Sequence, residues 1–202
     1  MNWQRLAPLY DLQLVLERPA LRAALELARP QPHDRVLDLG TGTGALLREL
    51  ARYAPHPAEV VGVDSSQAMI AKARAAGLPP RFRVELGDAR SLKFAADRFD
   101  LVFCAYVVNV VPTPDAIAIL VEAERVLAPD GRLVVVAAVA PRPPLARAYR
   151  ALWSGLARAL PSLFGGFRLV DLEMLFARAD LDVDGRHTVR IGYPSLCLRY
   201  RA

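Results

Sequence analysis

Apolar residues recur in two rhythms along the first two thirds of the chain. Short, nearly unbroken runs, RVLDLG (35–40), EVVGVD (59–64), RFRVELGD (81–88), FDLVFCAY (99–106) and RLVVVAAV (132–139), alternate with stretches whose apolar positions return every three or four residues. The first kind suits parallel strands covered on both faces. The second predicts helices over 44–53, 66–76 and 114–127. Asp130-Gly131 reads as a turn leading from the last of these into the fifth strand. Strands separated by helices in this way predict a parallel sheet between two helical layers.

After residue 140 the rhythm changes. Segments 145–160 and 169–179 read as helices, and the strand-like runs 181–192 and 195–201 are joined only through Gly-Tyr-Pro. So short a connection requires antiparallel strands, because a parallel pair needs a long crossover. The expectation is one α/β domain, a Rossmann-like, mostly parallel sheet with an antiparallel C-terminal hairpin at its edge. Its parts would be N-terminal cap helices (1–30), a core (31–140), a lid or substrate insertion (141–180) and the hairpin (181–202). There is no internal repeat and no linker long enough to mark a second domain.

Composition narrows the class. At 202 residues, 53% hydrophobic and 23% charged, the chain can bury one full core and is not a disordered polymer. Its longest purely apolar run, 133–140, is far too short to cross a bilayer. The N-terminal stretch lacks the pattern of a secretion signal. Cys104 and Cys197 lie in apolar strand-like runs and read as buried free thiols, with neither a disulfide nor a metal site suggested. A cytoplasmic protein is expected. Charge is unevenly placed: Lys+Arg and Asp+Glu are sixteen each through Ala140, whereas ten Arg face five Asp+Glu after it. The whole +5 excess therefore sits in the last third, where it could meet an anionic partner or substrate.

The chemistry begins at VLDLGTGTGALL (36–47), where a strand ends in a carboxylate and glycines alternate with threonines before a helix. Such a loop lets backbone turn tightly and approach a ligand. Gly40, Gly42 and Ala45 satisfy the relaxed G-x-G-x-x-A dinucleotide spacing, so the loop alone leaves a dinucleotide, another nucleotide or a structural turn open. Asp64 ends the second strand twenty residues after Gly44, where a carboxylate can take both hydrogens of a ribose diol. Asp88 ends the third strand, placed to meet an adenine amino group, and Asp100 opens the fourth. His33 and His56 stand in proline-containing loops, and His187 falls in a strand-like run; none carries a catalytic signal.

From 34 to 139 the chain resembles the class I S-adenosylmethionine (SAM)-dependent methyltransferases. VLDLGTGTG looks like that family's first motif, VVGVDSSQAMI its ribose-binding acidic motif, LGDA its adenine segment, FDLVFCAYVVNVVP its fourth-strand motif and EAERVLAPDGRLVVV its approach to the fifth strand. The resemblance implies a seven-stranded sheet and SAM as cofactor. It implies contacts from Asp38, Gly40, Thr41, Gly42, Gly44, Asp64, Ser65, Met69, Gly87, Asp88, Ala89 and Cys104, with Asp38 near the methionine end. No metal is implied.

The acceptor is less legible. Tyr106 and Asn109 are the polar residues of the loop after the fourth strand. Asn109 continues as Val110-Val111-Pro112 instead of the Asn/Asp-Pro-Pro-aromatic sequence of enzymes that methylate amide or nucleobase nitrogens. That loop, with LAPLYD (6–11), is similar to the ubiquinone/menaquinone C-methyltransferases and the bacterial phosphatidylethanolamine N-methyltransferases. In such proteins the N-terminal segment covers the cofactor, which makes Tyr10 a candidate pocket residue. A small-molecule or lipid-like acceptor, methylated on amine, hydroxyl or activated carbon, is expected. Segment 145–160 reads as a basic amphipathic helix, a substrate lid in one reading and a peripheral membrane contact in another. Alternatives are a SAM-binding module that regulates or assembles with another protein, and an NAD-dependent oxidoreductase, against which Asp88 and the antiparallel ending speak. No nucleic-acid partner is expected, since no stacking-aromatic cluster or appended RNA-binding domain supports one.

Overall fold

The computed structural model describes residues 7–53, 56–140, 167–192 and 194–202, with side chains from residue 15 onward. The apolar runs become strands β1 (Arg35–Leu39), β2 (Glu59–Asp64), β3 (Phe82–Leu86), β4 (Phe99–Ala105), β5 (Leu127–Ala138), β6 (Gly185–Val189) and β7 (Ser195–Arg201). Between them run α1 (Ala7–Ala28), α2 (Ala45–Leu50), α3 (Gln67–Arg74), α4 (Thr113–Arg125) and α5 (Leu172–Arg178). The seven strands form one sheet in the order β3-β2-β1-β4-β5-β7-β6. β1 to β5 are parallel, and β7 is antiparallel to both neighbours, so β6 again points the way of β1.

Alternation along the strands divides the core between two faces. Val36, Val60, Leu101, Phe103 and Val134 pack with Leu21 and Leu25 of α1, Leu47 of α2 and Ile70 of α3. Leu37, Val61, Val102 and Val135 pack with Ile119 and Leu120 of α4 and Leu175 and Phe176 of α5. Both sides of the sheet are therefore dry, which accounts for strands that are apolar at almost every position.

Three boundaries differ from expectation. The Asp130-Gly131 turn lies inside β5, where Asp130 has φ +62° and the pairing with β4 shifts between Phe99 and Leu101. This is an enlarged bulge, three added residues of β5 taken up without breaking the strand. α2 stops at Leu50, ahead of the two prolines at 55 and 57. β6 begins only at Gly185, because Leu181 turns into the core and donates its N–H to Phe176 O, closing the end of α5. The N-terminal region is a single helix over 7–28, with Pro19 inside it, that packs on β5, β6 and β7.

Strand order reverses between β1 and β4. At such a switch point the connections leave in opposite directions and open a crevice outside the C-terminal strand ends, where α/β sheets bind ligands.

Candidate functional site

The glycine loop leaves β1 at Leu39 and crosses that crevice before α2. It is pinned to β2: Thr41 N–H donates to Val63 O (3.0 Å), and Gly42 N–H donates to Asp64 Oδ2 (2.9 Å). Gly40 has φ +65°, and a Cβ there would lie 2.2 Å from Val107 Cγ2, so the turn and the loop after β4 can meet only if position 40 has no side chain.

Five buried side-chain nitrogen or oxygen atoms among the described residues lack a hydrogen-bond partner, and three of them sit here: Asp38 Oδ2, Thr41 Oγ1 and Thr43 Oγ1. Asp38 is 2% exposed. Burial pushes its carboxyl up to about 7, the Thr41 hydroxyl nearby pulls the other way, and the charge of Asp64 adds to the rise. A folded protein rarely leaves buried acceptors unmatched, because each costs the desolvation of a polar group. Concentrated in one loop at the switch point, they mark a place for a ligand carrying donors or positive charge. SAM, with a positive sulfonium, a positive ammonium and one carboxylate, fits that donor and acceptor set.

Asp64 does more than its position at the end of β2 predicts. Its second oxygen, Oδ1, accepts Ser66 N–H (2.8 Å), so one carboxylate ties the glycine loop to the start of α3. Ser66 then caps α3 by accepting from Met69 N–H (3.4 Å). Ser65 is exposed beside Asp64, whereas Met69 is 7% exposed under the helix. At the end of β3, Gly87 N–H donates to Asp64 O (3.0 Å), which carries Gly87, Asp88 and Ala89 to the same edge. Asp88 does not point outward unpartnered. Arg90 grips both of its oxygens, reaches Asp115 Oδ2 (3.1 Å) at the start of α4, and holds the Asp88 carboxyl below its usual range. Sequence spacing alone carried no sign of this clasp.

Cys104 lies in the middle of the core, paired with Leu39 and Val135, and burial pushes its thiol up to about 12. It contributes packing beneath the loop, not an accessible sulfur. Asp100 is at the opposite edge of the sheet, where its carboxylate holds the Arg35 guanidinium (2.9 Å) and Arg35 N–H (2.8 Å). His187 is exposed on the edge strand β6 and His33 is exposed in its loop.

Beyond β4, Tyr106 has φ +61° and 7% exposure. Its hydroxyl and the fully buried Ser195 Oγ of β7 share a hydrogen bond of 2.8 Å, and its ring lies 6.3 Å from that of Phe167. Asn109 is 0% exposed. Its amide donates to Ala138 O (3.0 Å) and Arg168 O (2.6 Å) and accepts from Ala138 N–H (3.1 Å). Every group it has is spent on main chain, fastening the loop after β4 to β5 and to the segment before α5. Arg168, also bonded to Val111 O, and Ser195 escaped the sequence reading because their partners lie dozens of residues away. The Tyr10 side chain and segment 141–166 lie outside the described residues.

Comparison with known proteins agrees with this geometry. A family model for a methyltransferase domain matches residues 36–131, which contain the glycine loop, Asp64, Asp88 and the loop after β4. The chain is 35% identical over 173 residues to a ubiquinone/menaquinone biosynthesis C-methyltransferase of Geobacter sulfurreducens, covering 80% of this chain and 65% of that protein. It is 33% identical over 160 residues to a 2-phytyl-1,4-naphtoquinone methyltransferase of Synechococcus elongatus, covering 75% and 68%. The chain thus spans about two thirds of the length of these relatives. In three dimensions it is similar to an S-adenosylmethionine-dependent methyltransferase of Mesorhizobium loti, with a TM-score of 0.65, 23% identity, and 93% and 98% of the two chains covered.

Proposed function

Because this chain belongs to the class I SAM-dependent methyltransferase family, we propose that it methylates a ring carbon of a quinol-like small molecule. The observation that supports the donor half most directly is the trio of orphaned oxygens at Asp38, Thr41 and Thr43. They offer a negative, hydrogen-accepting bed at the switch point. Asp64 supplies a carboxylate for a ribose diol, with each oxygen keeping a lone pair beyond its bond to main chain. Asp88 and the backbone of Ala89 serve the base. The quinol-like acceptor rests on the similarity to the two quinone-modifying relatives.

When bound, SAM supplies an electrophilic methyl group on a sulfonium. The work of the protein is to hold the acceptor carbon against that methyl and to keep water from between them. Orientation alone can supply much of the acceleration. A quinol ring carbon becomes nucleophilic as the neighbouring hydroxyl gives its proton to bulk solvent, and Tyr106 is the polar group we assign to hydrogen-bond that oxygen. Ser195 orients the Tyr106 hydroxyl, and the left-handed backbone at Tyr106 turns the side chain inward. Asn109 is assigned a bracing role, keeping the loop after β4 in place.

The test is incubation of the chain with methyl-labelled SAM and a short-chain demethylated naphthoquinol, alongside a phenol and a primary amine. Label on a ring carbon of the quinol is the expected result. Label confined to oxygen or nitrogen, or to the amine, would discard the acceptor assignment.

A further inference from the structure

We propose that the groove between α1 and the edge strand β6 is a second binding site, which seats the phosphate of an anionic phospholipid headgroup as the chain rests on a bilayer. One wall is Val15 and Pro19 of α1, the other Val189 and His187 of β6, and Arg18 and Arg22 of the helix also line the groove. The two arginines are one helical turn apart, so they share a face.

Their setting is unbalanced in charge. Arg18 Nε (2.9 Å), Arg22 Nε (3.1 Å) and Arg52 Nη1 (2.9 Å) all converge on Glu49, whose side chain is 9% exposed. Three guanidinium groups stand against Glu49 and, in the groove lining, Glu26, which leaves a local excess of one positive charge. Among the described residues Arg18 and Arg22 bond Glu49 through Nε, which directs their terminal nitrogens elsewhere, and the side chains are 47% and 57% exposed. Two guanidinium forks held in register by a shared buried acid are suited to an oxygen-rich anion such as a phosphate. Glu26, one turn beyond Arg22 toward the far end of α1, is the acidic group in the groove.

A free phosphate ion would have no use for what surrounds the arginines. Val15 is 65% exposed and Ile191, in the turn between β6 and β7, is 76% exposed. The turn rests against α1 so closely that a Cβ on Gly192 would fall 2.0 Å from Leu16 O, which brings Ile191 beside Leu16, itself 36% exposed. Apolar side chains standing next to exposed guanidinium groups match the cross-section of an anionic bilayer, with phosphates above and acyl chains below. β6 runs parallel to β1, so its C-terminal end and the turn after it open on the same edge of the sheet as the glycine loop. Contact there would hold the reacting edge near an acceptor dissolved in the membrane, a consequence that rests on the proposed function; the contact itself does not.

The experiment is sedimentation of the full chain with phosphatidylcholine vesicles, with and without phosphatidylglycerol. Binding to the anionic vesicles only is expected, with the Arg18→Gln/Arg22→Gln double variant partitioning at least about tenfold less. Ile191→Ser, which disturbs neither Glu49 nor the cofactor site, should bind severalfold less while keeping wild-type affinity for S-adenosylhomocysteine; it decides the matter if the double variant fails to fold. Three results would overturn the proposal: undiminished binding by these variants, equal binding to neutral vesicles or to neither kind, or release from vesicles by millimolar inorganic phosphate. Methyl transfer to a soluble acceptor without vesicles reports separately on the proposed function.

Discussion

The two edges of the sheet treat buried acids in opposite ways, and the contrast is sharpest around one strand. Asp34, just before β1, is 1% exposed, accepts Gln31 N–H (2.7 Å) and is paired with the Arg132 guanidinium. Asp38, inside the same strand at its other end, is 2% exposed and leaves one oxygen with no partner. Around Asp34 the pattern continues: Asp100 with Arg35, and Glu59 with Arg83 and Arg98, are all matched. Around Asp38 it is Thr41 and Thr43 that go without. One edge pairs its acids within the fold, although Arg132 Nε stays unmatched there. The other leaves its own to be paired by a ligand.

The contrast can be broken first at the closed edge. Arg132→Met would strand Asp34 as a buried, partly unpaired charge, at a cost of about 3–5 kcal/mol in denaturant unfolding with SAM affinity unchanged. A loss of SAM affinity without a stability loss would erase the distinction between the edges.

The mirror experiment is Asp38→Asn, which removes a buried charge instead of orphaning one. The Asp38 carboxyl is raised from 3.8 to about 7 in the folded chain, so the fold is penalised progressively as pH rises through that interval and the penalty is constant above it. The variant should therefore be more stable than the parent by about 2–4 kcal/mol at pH 8 and no more stable at pH 4, as read by thermal melts across pH. SAM, being cationic, should bind the parent more tightly as pH rises through 7, and calorimetry should find that dependence flattened in the variant.

Asp64→Ala lies between these cases, since its carboxylate braces the loop and faces the crevice. A weakening of SAM binding by about 1–3 kcal/mol is expected, and unchanged affinity would end its assignment to the ribose. The smallest effect belongs to Asp100→Asn. Its partially exposed pair with Arg35 is worth about 1 kcal/mol or less at neutral pH. Arg35 holds the Asp100 carboxyl low, so this contribution is present above the ordinary carboxylate range and disappears as pH falls through the folded value. Parent and variant should converge in acid unfolding curves.

What the sequence made legible follows the range of the interactions. Strand positions, the glycine loop and the antiparallel hairpin are set by neighbours within a few residues, and each leaves a local pattern. The bulge at Asp130, the fastening by Asn109 and the clasp of Arg90 on Asp115 depend on partners brought together by the fold. So does the second task of Asp64, whose bond to Gly42 N–H spans twenty-two residues and adds no motif to the one already there. Asp100 shows the reverse hazard: a strand-end acid in sequence, placed by topology on the side that only supports the fold.

The insertion of β7 between β5 and β6 bears on how the protein is made. α1 seats on those three strands, with Cys197 Sγ near Ala20 O (3.8 Å) and Arg199 Nη1 donating to Leu27 O (2.9 Å). During synthesis α1 thus has no complete seat until β7 has emerged, and for that interval its apolar face must be shielded by something else. Pairings this distant in sequence form slowly and expose the chain to misassembly. A chain cut before β7 should therefore lose its N-terminal helix as well as its C-terminal strand.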